Sequence, residues 1–168
     1  MRHWILFISL LLLTGGMTAK EKRLTPREKQ HYEALKVWME PDEVKAYLKN
    51  KTPEARDQWL KDQKFWDRFY RYDKSMREAI LAREVSVGWP YDAVYMALGR
   101  PHVRKRLAGR QASRSELLVY RIEVSKDGYH EVWTPKSKTT YKAIRKYRME
   151  YIVDDGVVAK VSEVPGWQ

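Results

Sequence analysis

Gly88-Trp89-Pro90-Tyr91-Asp92-Ala93-Val94-Tyr95-Met96-Ala97-Leu98-Gly99-Arg100-Pro101 decides how this chain is read. Tyr91, Val94, Tyr95 and Leu98 recur at i, i+3, i+4 and i+7, the spacing of one helical face. Pro90 suits the first helical position, where its missing N–H is no loss. Gly99 can turn left-handed just past the last turn, and Pro101 stops the helix from continuing. Asp92 is placed to cap the helix start. The spacing predicts a short helix at 91–98, with helical periodicity before it and strand alternation after it.

Upstream, residues 24–84 read as helical. Thr25-Pro26-Arg27-Glu28 is a capping box with proline at the first helical position. Pro41 restarts a second helix, with Asp42 and Glu43 in the first turn facing its positive dipole end. Thr52 and Pro53 open a third, expected to run from about Pro53 to Glu84. Trp59, Phe65, Trp66, Phe69 and Tyr70 give that helix a heavy aromatic load, which is expected to be core.

Downstream, residues 100–114 read as a loop. Leu118, Tyr120, Ile122 and Val124 then alternate with Val119, Arg121 and Glu123, the pattern of a strand. Lys126-Asp127-Gly128 is a turn, and Tyr129 to Trp133 returns as a hairpin partner. Tyr141, Ala143, Arg145, Tyr147, Met149, Tyr151 and Val153 form one face of a long strand. Asp154-Asp155-Gly156 turns it into Val157–Val164. The expectation is an α+β fold: an N-terminal helical segment, then one helix packed on a 3–4-stranded antiparallel meander.

Met1-Arg2-His3, the apolar run Trp4–Leu13 and the small residues Thr14–Ala19 have the form of a secretory signal peptide. This run of ten residues, apolar except for Ser9, falls short of the roughly 20 that span a bilayer. Cleavage is expected after Ala19, with Gly16 as the alternative, which divides the chain into 1–19 (signal), 20–84 (helical) and 85–168 (α+β). The whole chain carries 33 Lys+Arg against 22 Asp+Glu, a net charge of +11. Removing residues 1–19 removes only Arg2 from that count and leaves +10. There is no cysteine, hence no disulfide and no lipobox for acylation.

For an exported basic chain, an anionic lipid, lipopolysaccharide or acidic glycan surface is the expected anionic partner. Nucleic acid is disfavoured by the signal. Arg100, Arg104, Lys105, Arg106, Arg110 and Arg114 occupy a window, 100–114, that contains no acid. Lys136, Lys138, Lys142, Arg145, Lys146 and Arg148 form a second basic group. Arg104, Lys105, Arg106, Arg110, Lys142, Lys146 and Arg148 are the candidate anion- or partner-binding residues. His3, His31, His102 and His130 lack metal-ligand spacing, and neither a nucleophile elbow nor a phosphate loop is present. No cofactor, metal or catalytic residue is expected.

Gly88, Trp89, Asp92, Gly99 and Pro101 resemble the core of the GWxTD-domain proteins of bacteria, with Tyr91 in place of the threonine. Lys51–Arg56 and Phe65-Trp66-Asp67-Arg68 resemble that family's upstream helical segment. Val94–Pro101, Leu118–Ile122 and Tyr151–Val158 are similar, in that order, to the SmpA/OmlA (BamE-like) domain of outer-membrane assembly lipoproteins, over about residues 85–164. The resemblance implies an exported, non-enzymatic envelope protein that acts through a protein partner, with Gly88, Trp89, Asp92, Gly99 and Pro101 as fold markers.

Overall fold

A computed structural model describes residues 20–133 and 143–167. It is α+β, with helices in the N-terminal part and an antiparallel sheet in the C-terminal part. The helices are α1 (Pro26–Leu35), α2 (Pro41–Lys49), α3 (Pro53–Asp62), α4 (Phe65–Tyr70), α5 (Lys74–Ala82) and α6 (Tyr91–Leu98). The strands are β1 (Val103–Leu107), β2 (Ser115–Val124), β3 (His130–Val132), β4 (Arg145–Asp154) and β5 (Val157–Pro165). Among the described residues no helix is long and apolar enough to cross a membrane. The signal-peptide reading of 1–19, and Lys136, Lys138 and Lys142, lie outside the described residues.

Local sequence explains the helix starts. The Thr25 hydroxyl accepts from the Glu28 N–H, and the Glu28 carboxylate accepts from the Thr25 N–H at 2.7 Å, which closes the capping box. Thr52 caps α3 through the Ala55 N–H. The single long helix expected from Pro53 to Glu84 is instead three. Lys64 adopts a left-handed conformation, φ +59°, and breaks the run after α3. Asp73 then accepts from the Met76 N–H at 2.8 Å and starts α5. The aromatic positions account for the break: on one continuous helix, 65 and 69 would project away from the face shared by 59, 66 and 70, and part of the set would stay in water. Broken, the chain buries Phe65 and Phe69.

His31 sits within this bundle, 3% exposed. Its ring meets Trp66, Phe69 and Tyr70 edge-on, and Nε2 is 2.8 Å from the Tyr70 hydroxyl. Nδ1 lies 3.7 Å from Asp57, with Arg27 and Glu28 also acting on it electrostatically. Burial lowers the His31 pKa below its ordinary 6.5, against the pull of Asp57. For Glu28, burial opposes ionisation, but the Thr25 N–H and Arg56 outweigh it and hold the carboxyl below 4.5. The signs agree. Below pH 6.5 the unfolded chain takes up the His31 proton before the folded one does, and Glu28 must be protonated lower still, so both groups cost stability as pH falls. Urea unfolding at pH 5.0 is expected to give a lower free energy than at pH 7.5, and His31→Gln to remove the upper part of the drop. Equal stabilities at the two pH values would refute this.

The sheet order is β1-β2-β4-β5, with β3 also paired to β2. Among the described residues it has five strands, not three or four, and it is not a simple meander. β4 pairs β2 from Ser115↔Asp154 to Val124↔Arg145, while β1 and β3 share β2's other edge end to end. The Asp155-Gly156 turn joining β4 and β5 has positive φ at both residues, +47° and +87°. That is the twist a two-residue hairpin needs.

Leu118, Tyr120, Ile122 and Val124 of β2, with Tyr147, Tyr151 and Val153 of β4, face the helices and are buried. They join one continuous core with α6, buried from Ala93 to Leu98, and with Leu35, Tyr47, Leu60 and Ile80 of the preceding helices. Fully burying a large apolar side chain contributes about 1.5–3 kcal/mol, and α6 lies in the core shared by the sheet and the preceding helices.

Candidate functional site

The opening motif joins α6 to the edge of the sheet. The Gly88 N–H donates to the Val158 carbonyl, the Val158 N–H to Trp89 and the Tyr91 N–H to Gly156, each at 2.8 Å. Pro90 bridges Val157 and is the residue before the helix, not its first member. Asp92 does not cap α6. Its carboxylate accepts from the Tyr72 hydroxyl at 2.6 Å and pairs with Arg71, tying α6 to the segment between α4 and α5. Gly99 ends the helix at φ +76°, ψ −160°, outside the left-handed helical region yet still open chiefly to glycine. Its carbonyl accepts from the Tyr120 hydroxyl at 3.0 Å. Pro101 follows, half-buried.

The first basic group is not a loop of free cations. Val103–Leu107 is a strand at the end of the sheet. Arg104 donates to both Glu116 oxygens at 3.0 Å, and Arg114 reaches the same carboxylate at 3.0 Å. These two arginines outweigh the burial of Glu116 and keep its carboxyl below the usual range. Arg110 grips Asp154, whose Oδ1 also accepts from the Ser115 hydroxyl at 2.6 Å. Asp155 accepts from the Arg114 N–H at 2.9 Å. The 108–114 loop is thereby pinned to the β4–β5 turn. Between them lies a cleft of about 370 Å³ lined by Tyr91, Arg104, Arg114, Glu116, Val153, Asp155 and Gly156. Its two arginines face two carboxylates, so it holds no surplus of positive charge. Lys105 and Arg106 are exposed and form no ion pair among the described residues.

Of the second basic group, Lys146 and Arg148 lie on the other face of the sheet, while Arg145 falls on the same side as Tyr147. Leu117, Val119, Arg121 and Glu123 of β2 stand opposite Ile152, Glu150, Arg148 and Lys146 of β4. Leu117, Val119 and Ile152 are half-exposed and outside the core. No helix among the described residues covers this outer face. Arg148 donates to Glu150 at 2.8 Å, and Lys146 lies 3.7 Å from Glu123.

One end of the outer face carries an aromatic–cation cluster. The Arg121 guanidinium sits 5.7 Å from the Trp133 ring centre and 5.5 Å from that of Trp167. It also donates to the Trp167 carbonyl at 3.2 Å, and the Trp167 indole N–H donates to Ile122. Lys146 stands 4.6 Å over Trp167. His102 meets Trp133 edge-on. Burial and then the Arg121 charge hold the His102 pKa below 6.5.

Lys105 belongs to the β1 edge and Lys146 and Arg148 to the outer face, whereas Arg104 lines the cleft and Arg110 is held by Asp154. The predicted residues therefore do not form one patch. Sequence reasoning missed Glu116, Asp154, Arg121, Trp133 and Trp167. The two acids are found only through strand register, and β1 was not expected to be a strand. Among the described residues no cluster of His, Asp and Glu could hold a metal. Comparison with protein-family models, curated proteins and solved structures finds no match to this chain.

Proposed function

We propose that this chain is an exported, non-enzymatic interaction protein of the cell envelope that engages a protein partner through the open side of its sheet. The observation that carries the reading is the outer face itself. It presents half-exposed Leu117, Val119 and Ile152 beside Arg121, Arg148, Trp133 and Trp167, a composition of apolar, aromatic and arginine side chains typical of interface centres. The GWxTD and SmpA/OmlA resemblances and the signal-like residues 1–19 point to the envelope. Binding to an anionic lipid or glycan is the weaker reading, because Arg104, Arg110, Lys146 and Arg148 already have carboxylate neighbours.

The absence of cysteine makes a direct test available. A thiol cross-linker is attached to Arg148→Cys or Lys160→Cys, on the open face, and to Lys49→Cys, exposed on α2. In envelope fractions, a discrete cross-linked product is expected from the first two sites and not from the third. N-terminal sequencing of the same material should begin near Lys20. Identical products from all three sites, or an uncleaved cytoplasmic chain, would overturn the reading.

A further inference from the structure

We infer that the free edge of β1 accepts an extended, acidic segment of the protein partner as an added β-strand. This rests on the interaction reading above and specifies the partner's chemistry. Among the described residues the chain itself fills the start of one sheet edge and no part of the other. At β5, the Gly88–Tyr91 segment supplies backbone partners to residues 156 and 158. At β1, pairing is with β2 alone, and among the described residues nothing occupies the other edge. An unoccupied strand edge is a row of backbone donors and acceptors ready for an extended peptide.

The side chains select the charge of that peptide. Val103 is 42% exposed, and Arg104, Lys105 and Arg106 are all exposed. No acid occurs from residue 100 to 114. The inner neighbour already shows the complement: Glu116 of β2 draws in Arg104 and Arg114. Lys105 and Arg106 are left without such a carboxylate among the described residues, one on each face of the strand. An added strand with acidic residues at successive positions meets both, since residues directly opposite in a sheet interact. The five-residue edge is about 17 Å long, which suits a short, reversible attachment.

Edge cations also serve elsewhere to prevent sheets from pairing with one another, and a basic strand can rest on an anionic membrane. The experiment separates these. The purified chain is titrated with an eight-residue peptide that carries successive glutamates between valines, with its lysine counterpart, and with the acidic peptide interrupted by proline. Amide hydrogen exchange over Val103–Leu107 is followed by NMR. The acidic peptide is expected to slow exchange at alternate β1 amides at least tenfold, and the other two to have no effect. Lys105→Glu/Arg106→Glu should weaken acidic-peptide binding at least tenfold.

Four results would overturn the inference. One is unchanged β1 exchange. Another is equal binding of the proline-interrupted peptide, which would mean charge attraction without strand addition. The third is protection of β1 by phosphatidylglycerol vesicles and not by peptide. Self-association of Lys105→Glu/Arg106→Glu, with no peptide bound by the unaltered chain, would reduce the cations to edge guards and sink it too. If β1 fails these tests while the Arg148→Cys cross-link persists, the docking surface is the open face and only the strand addition is wrong. If the peptide adds but the cross-links are absent, docking through the open face is the part that fails.

Discussion

Glu28→Gln should lower the unfolding free energy by about 3–5 kcal/mol, the usual cost of leaving one member of a buried ion pair without its partner. Glu28 and Arg56 are 2% and 5% exposed, and Arg56 Nη1 donates to Glu28 at 2.6 Å. Glutamine can still accept from the Thr25 N–H, so the substitution isolates the charge from the helix cap. Arg56 would keep only its hydrogen bond to the Lys51 carbonyl at 3.3 Å. The double variant Glu28→Leu/Arg56→Met should recover most of the loss, because two matched apolar groups leave no stranded charge. Urea denaturation at pH 7.5 measures both. A single-variant loss under about 1 kcal/mol would show that water reaches Arg56.

Trp89→Ala carries the second large effect, again about 3–5 kcal/mol, because the indole no longer packs in the core and leaves a cavity behind. The side chain is 8% exposed within the core that joins α6 to the sheet. Its carbonyl still accepts from Val158 in the variant, so the backbone tie survives and the destabilisation reports packing. Trp89→Phe should lose appreciably less. Lys105→Ala, on the exposed edge, should stay within about 0.5 kcal/mol of the parent. Thermal unfolding followed by circular dichroism reads all three, and a Trp89→Ala cost like that of Lys105→Ala would remove the tryptophan from the core.

Legibility followed how local each determinant is. The Thr25 and Thr52 caps, the extent of α6 and the Asp155-Gly156 turn were readable because each depends on neighbours three or four positions away. The period-two pattern placed β2, β4 and β5, and the alternation put Tyr147, Tyr151 and Val153 on one face, which the structure buries. The single helix from Pro53 failed because helical spacing does not register a lone left-handed residue such as Lys64. β1 was hidden because Arg104-Lys105-Arg106 erases the alternation, which an edge strand does not require. The pairing of β4 with β2 and the destinations of Arg104, Arg110 and Asp92 all depend on contacts 12 to 44 residues apart. Charge counting therefore overstated the basic surface: it found the cations but not the carboxylates opposite them.

The hydrogen bonds that hold Gly88 to Val158 span 70 positions of chain. A chain delivered from its N-terminus can assemble α1 to α5 early, but this closure has to wait until the last strand has emerged. Bringing such distant residues together carries an entropy cost that grows with the logarithm of the intervening length. The helical half and α6 thus spend most of synthesis without the sheet that seals their apolar faces. A deletion that removed only β5 would strip both the final strand and the fastening of α6, and so would be felt in the centre of the molecule as well as at its end.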